Sequence, residues 1–201
     1  MQDGVAIDRQ EVAAFFDELA PGWEEDLVVD TPKINAILDA AGIVPRVRVL
    51  DVACGTGVLF PFYRQRGAAE VLAVDISPEM AKIAEKNALP PIRVVCRDIQ
   101  TLKGTGDYDC CVVYNAFPHF PDPAGLVRDL AGWLRPGGRL TVAHSMSLAQ
   151  LNRHHSGRAA KVSVGMLPAA ELAEVFGPWF QVDCVVSDEE KYIVSGVLKA
   201  Q

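Results

Sequence analysis

From about residue 47 to residue 145, short apolar runs rich in β-branched residues alternate with stretches of helical periodicity. Strands buried on both faces read as continuous apolar runs, and strands separated by helices read as repeated βαβ units. The pattern therefore predicts a parallel sheet in an α/β domain. Strands are expected at Val47 to Asp51, Val71 to Asp75, Ile92 to Cys96, Cys110 to Tyr114 and Arg139 to Ala143. After the second of these, Ser77 is placed to cap a helix, Pro78 suits its first position and Glu79 favours the positive end of its dipole. Leu126, Leu130 and Leu134 recur at i, i+4 spacing and predict a helix ended by Pro136-Gly137-Gly138.

Outside this stretch the pattern changes. Residues 146–167 show no strand period and read as an insertion on the substrate side. A short helix at Ala169 to Phe176 stops at Gly177, and two alternating runs, Phe180 to Val186 and Tyr192 to Leu198, read as a hairpin closing the sheet edge. At the front, Asp8 to Leu19 and Thr31 to Ala41 look helical on either side of Pro21-Gly22. The whole, 1–201, is expected to be one domain: N-terminal helices over 1–42, a core over 46–145, the insertion, and a C-terminal helix and hairpin over 168–201.

Composition narrows the partners. With 201 residues, half of them apolar, the chain builds one core and not two. A net charge of -7 and a pI near 5.1, with no run of Lys or Arg, repel a phosphate backbone, so nucleic acid is not the expected partner. No apolar stretch approaches the roughly 18 residues that span a bilayer, so no membrane partner and a cytoplasmic location are expected. The five cysteines, Cys54, Cys96, Cys110, Cys111 and Cys184, are odd in number with no C-x-x-C spacing. Reduced, buried thiols are expected, with neither disulfides nor a metal site.

The strongest motif is Asp51-Val52-Ala53-Cys54-Gly55-Thr56-Gly57, an apolar strand running into an acid and then a Gly-x-Gly turn. Glycines serve there because the backbone must turn sharply and admit a ligand to van der Waals contact. A dinucleotide fingerprint calls for a third glycine three residues on, and that position is Phe60, which disfavours NAD and a nicotinamide oxidoreductase. Asp51 at the strand end suits a cationic ammonium instead. Asp75, 24 residues further, is placed to accept from ribose hydroxyls. Asp98 follows the third strand, so three acids stand at three successive strand ends, where the ligand crevice of a parallel sheet lies.

This segment resembles motif I of the class I S-adenosylmethionine-dependent methyltransferases, of the small-molecule type related to ubiquinone and menaquinone methyltransferases. Later matches follow in order: Asp75-Ile76-Ser77-Pro78-Glu79-Met80, Arg97-Asp98-Ile99, Asn115-Ala116 and Leu134-Arg135-Pro136-Gly137-Gly138. The resemblance implies a Rossmann-like, doubly wound, seven-stranded sheet with an antiparallel C-terminal strand. It implies S-adenosylmethionine as cofactor and S-adenosylhomocysteine as product. In such a site Ala53, Cys54, Gly55, Thr56 and Gly57 wrap the methionine part, Asp51 holds its ammonium and Asp75 the ribose. Asp98 accepts from the adenine amine between Ile76 and Ile99, and Met80, Asn115 and Ala116 lie along the cofactor. Phe15, Phe16, Asp17 and Trp23 look like the lid of small-molecule members.

The methyl acceptor is less determined. Asn115-Ala116-Phe117-Pro118 departs from the Pro-Pro-aromatic pattern of amine methylators, and the loop lacks a Pro-Cys nucleophile. All four histidines, His119, His144, His154 and His155, fall after the fourth and fifth strands. His144, His119 and His155 are the candidate general bases toward an oxygen, nitrogen or sulfur acceptor, with His144 favoured. The expectation is methyl transfer to a small molecule by a monomer or homodimer. The alternative is a catalytically silent S-adenosylmethionine-binding subunit, since the same motifs bind without chemistry.

Overall fold

The structure, a computed structural model, describes residues 7–25, 27–155 and 158–200. Its order is α1 (Arg9–Leu19), α2 (Thr31–Ala40), β1 (Arg48–Val52), α3 (Phe60–Gln65), β2 (Glu70–Asp75), α4 (Pro78–Asn87), β3 (Ile92–Cys96) and β4 (Tyr108–Tyr114). Then follow α5 (Pro123–Ala131), β5 (Leu134–His144), α6 (Leu148–His155), α7 (Ala169–Phe176), β6 (Phe180–Ser187) and β7 (Tyr192–Leu198). The seven strands form one sheet in the order β3-β2-β1-β4-β5-β7-β6. β1 to β5 run parallel, and β7 enters antiparallel between β5 and β6. This is the expected Rossmann-like α/β sheet, with the chain reversing direction about β1 and β4 and so opening a crevice at their carboxyl ends.

Alternation along the strands divides the core in two. Leu50, Val52, Leu72, Val74, Cys111 and Val113 pack with Leu126 and Leu130 of α5 and Leu172 and Phe176 of α7. Val49, Val71, Ala73, Cys110 and Val112 pack on the other face with Ile34 and Leu38 of α2 and Phe60, Phe62 and Tyr63 of α3. Cysteines 110 and 111 thus serve opposite faces as small apolar residues, and burial pushes both thiols up, Cys110 to about 12.

The local signals mostly act as the sequence suggests. Asp8 caps α1 by accepting from Gln10 N, and Ser77 caps α4 by accepting from Met80 N at 3.1 Å. One expectation is corrected: the helix containing Leu126 and Leu130 does not run on to Leu134. It stops at Gly132, and Leu134 opens β5, opposite Tyr108. Leu134 still reaches the same core cluster, but from a strand. The Pro136-Gly138 segment is then an irregularity inside β5, with Gly137 at φ +77°, and not a helix end. The insertion also gains structure, in α6 and a 3-10 turn at Arg158–Lys161; Ser156 and Gly157, within it, lie outside the described residues. Among the described residues no helix is long and apolar enough to cross a membrane.

Candidate active site

The carboxyl ends of β1, β2, β3 and β4 open onto one cleft. Asp51, Asp75 and Asp98 all line it, as do Ala53, Cys54, Gly55, Thr56, Ile76, Met80, Ile99, Asn115 and Ala116. Gly57 is not on the wall. Its φ is +92°, and a Cβ there would meet the Phe60 ring at 2.4 Å. The ring that stands where a third glycine would be is therefore seated on Gly57. Gly55 differs: at φ +56° its Cβ position meets nothing within 4 Å, so its face is open to a ligand.

The three acids have different surroundings. Asp51 is 2% exposed, and its Oδ2 has no hydrogen-bond partner. Burial, and then the charge of Asp75, push its carboxyl up to about 8. Asp75 is better supported, its Oδ2 accepting from Gly55 N at 2.8 Å and its Oδ1 from Ser77 N at 2.9 Å. Burial raises its carboxyl, and these N–H bonds oppose the rise. Asp98 accepts from Gln100 N at 2.9 Å and is ion-paired with Arg9, whose other nitrogen donates to Gln100 Oε1 at 2.8 Å. Cys54 beside them is no nucleophile, because burial and then Asp51 and Asp75 hold its thiol well above the usual range.

A roof covers this wall. Arg9 ties the start of α1 to Asp98, and Asp17 Oδ1 near its end accepts from Ser77 Oγ at 2.5 Å and from Glu79 N at 3.0 Å. A further bond, Asn87 Nδ2 to Glu24 at 2.9 Å, follows the helix. Phe16 and Trp23 line the cleft, with ring centroids 6.0 Å apart, whereas Phe15 is absent from the wall and packs beside Val12, Ala159 and Val162. That cluster joins α1 to the insertion. The insertion is stitched in turn to the loop after β4, where Val164 N donates to Pro118 O at 2.8 Å.

Among the described residues, the candidate base His119 lines the cleft and His144 does not. The His119 ring sits edge-on to Phe16, with centroids 4.8 Å apart. Its Nδ1 lies 2.9 Å from Val162 O, which only accepts, so Nδ1 is the donor in that bond. Ser163 Oγ, which donates to Ala159 O, lies 3.2 Å from the same Nδ1. His144 is 1% exposed at the end of β5, with its ring edge-on to Tyr192, and is not on the cleft wall. The side chains of His154 and His155 lie outside the described residues. Residues that sequence reasoning passed over include Arg9, Leu27, Val28, Tyr114 and Phe120, all on the cleft wall. Burial raises the Tyr114 phenol, against hydrogen bonds with Ser145 and Asn115. Asn115, at φ +54°, also accepts from Ser145 N at 2.9 Å.

Residues 49–138 match the family described as a methyltransferase domain, so over that stretch the chain is similar to one. Among its relatives, a protein of Xanthomonas oryzae pv. oryzae (strain PXO99A), named ubiquinone biosynthesis O-methyltransferase, is 36% identical over 112 residues. That match covers 53% of this chain and 45% of the relative. The chain thus spans about half the length of the curated relatives it matches. Two solved structures share the fold at low identity. The [4+2]-cyclase SpnF aligns at TM-score 0.79 and 15% identity, over 98% of both chains. The magnesium protoporphyrin IX methyltransferase of Synechocystis PCC 6803, solved with bound S-adenosylhomocysteine, aligns at 0.69 and 19%, over 96% of this chain and 100% of that one.

Proposed function

We propose that the protein transfers a methyl group from S-adenosylmethionine to an oxygen of a small-molecule acceptor, with His119 as general base. The observation that carries this reading is the cleft itself: a buried carboxylate oxygen of Asp51 lacking a partner, beside the open face of Gly55, on one wall with Asp75 and Asp98. A buried carboxylate without a partner favours a cationic ligand, and the ammonium of an amino acid end fits it. Asp75, with both oxygens already directed by backbone N–H groups, would receive ribose hydroxyls. Asp98 would receive the adenine amine between Ile76 and Ile99. Met80, Asn115 and Ala116 would complete the contacts.

When bound, the cofactor supplies a methyl group activated on a sulfonium. The chain's own part is alignment, since holding two reactants in line contributes roughly 7 to 11 kcal/mol. Phe16, Trp23, Leu27 and Phe120 give the acceptor end an apolar wall and exclude water. His119 Nε2 would take the proton from the acceptor oxygen while the Val162 carbonyl holds the ring through Nδ1. Oxygen is chosen over nitrogen and sulfur because relatives that share the core bear O-methyltransferase names.

The test is calorimetry with S-adenosylmethionine, followed by formation of S-adenosylhomocysteine with a panel of phenols, thiols and amines. Binding with turnover on a hydroxyl acceptor is the expected result. Turnover confined to thiols or amines would move the reaction to another atom. Binding without turnover on any acceptor would support a silent cofactor-binding subunit, and no binding would end the reading.

A further inference from the structure

Among the described residues, a second buried polar atom stands without a partner on the sheet face that carries Asp51. Alternation along β1 puts Val49 and Asp51 on the same face of the sheet, and the register sets Asp51 between Ala73 and Val112. Val49, Ala73 and Val112 pack in one cluster with Tyr63 of α3. Tyr63 is wholly buried, and its hydroxyl has no hydrogen-bond partner, as Asp51 Oδ2 has none. Phenylalanine would fill the same apolar volume without the cost of burying a hydroxyl. After burial, Asp51 is the strongest influence raising the Tyr63 phenol, ahead of Cys111, Cys110 and Cys54. The phenol therefore keeps its proton and remains a donor, on the same face of the sheet as the lone carboxylate oxygen.

We propose that Tyr63 is a positioning residue for Asp51, its hydroxyl donating to the carboxylate, across one water or after a small shift of the ring, so that the charged form of Asp51 is favoured when a cationic ligand arrives. The inference rests on the functional reading above for the identity of that ligand, but not for the pairing itself. The other titratable groups acting on these two side chains are Asp75 from β2, Cys54 from the turn and Cys110 and Cys111 from β4. All three thiols are pushed up and neutral, so Asp75 is the competing charge.

The test compares the wild type with Tyr63→Phe, each alone and with Asp51→Asn. Asp51 ionisation in the cofactor-free protein is followed by carboxyl-carbon NMR, and S-adenosylhomocysteine affinity by calorimetry from pH 6 to 9. Loss of a hydrogen bond to a charged group should move the Asp51 midpoint upward by about one pH unit and weaken affinity at pH 7 about tenfold. At pH 5, where Asp51 is neutral, thermal stability should hold or rise. With Asp51→Asn present, Tyr63→Phe should no longer make stability depend on pH. An unmoved midpoint with affinity within twofold of wild type would overturn the proposal and leave a merely structural Tyr63. Should Tyr63→Phe fail to fold, 3-fluorotyrosine labelling, which strengthens the donor, must lower the midpoint, and an unchanged one overturns the pairing. If the wild type binds no cofactor, the functional reading falls, while the NMR titration still decides the role of Tyr63.

Discussion

The two sides of the cleft are built in different ways. The wall is made of strand ends: Asp51 and Asp75 sit within the ladder of parallel pairing, Asp75 also accepting from Gly55 N, and Asp98 follows β3 and accepts from Gln100 N. The roof is made of α1, Trp23 and the insertion, held by a few side-chain bonds and one small apolar cluster. A ladder fixes a carboxylate within the rigid sheet, whereas isolated surface bonds contribute little each and are readily opened. Cofactor affinity should therefore follow changes to the wall, and turnover and exchange should follow changes to the roof.

The largest effect that sharpens this contrast is expected at His119. His119→Ala should lower kcat by roughly 10² to 10⁴-fold while cofactor affinity stays within about twofold, as separate calorimetry and turnover measurements would show. An equal fall in both would break the contrast, placing His119 on the binding side. On the wall, Asp51→Asn should weaken S-adenosylmethionine binding by about 10²-fold.

The pH dependence carries its own sign. Because folding raises the Asp51 carboxyl from the ordinary 3.8 to about 8, the folded state retains a proton that the unfolded chain has released across that window. Stability from this group is full below the lower value and declines as pH rises to the upper one. Melting curves should show Asp51→Asn raising Tm at pH 8 and leaving it nearly unchanged at pH 4. Cofactor affinity of the wild type should strengthen between pH 6 and 8, with proton release measurable in buffers of different ionisation heat.

Smaller effects separate the two glycines. Gly57→Ala forces a Cβ into Phe60 at positive φ and should cost on the order of 2 kcal/mol of stability in denaturant titrations. Gly55→Ala should cost about 1 kcal/mol from its φ alone and weaken cofactor binding about tenfold in calorimetry, through a Cβ added on the face open to a ligand. The smallest change is expected at the roof. Arg9→Ala should alter cofactor affinity by less than about fivefold and chiefly speed its exchange in stopped-flow measurements.

The same division explains what the sequence discloses. The turn of Asp51 to Gly57 and the acids at 75 and 98 are local signals, each an apolar run meeting a polar strand end, and twelve of the thirteen residues they nominate line one cleft. The exception, Gly57, is a glycine for packing reasons that only the Phe60 ring reveals. The roof bonds join residues far apart, with 89 positions between Arg9 and Asp98 and 60 between Asp17 and Ser77, and no periodicity encodes such pairs. Leu134 misleads because i, i+4 spacing continues past Gly132, where the backbone has already left the helix. His144 looks like a cleft residue from its place at a strand end, but in the antiparallel pair its register partner is Tyr192, against whose ring it packs. Tyr63 is hidden by its neighbours, since an aromatic residue in an apolar helix gives no sign of its hydroxyl.

Because Arg9 pairs with Asp98 on the cleft wall, α1 and the nucleoside would compete for one carboxylate if Asp98 receives the adenine amine as proposed. Entry of the cofactor and re-seating of that helix would then become a single event, and an acceptor that arrived first would block it. Steady-state kinetics should accordingly follow a compulsory sequence, with the sulfonium donor loading before the acceptor and the demethylated nucleoside departing last.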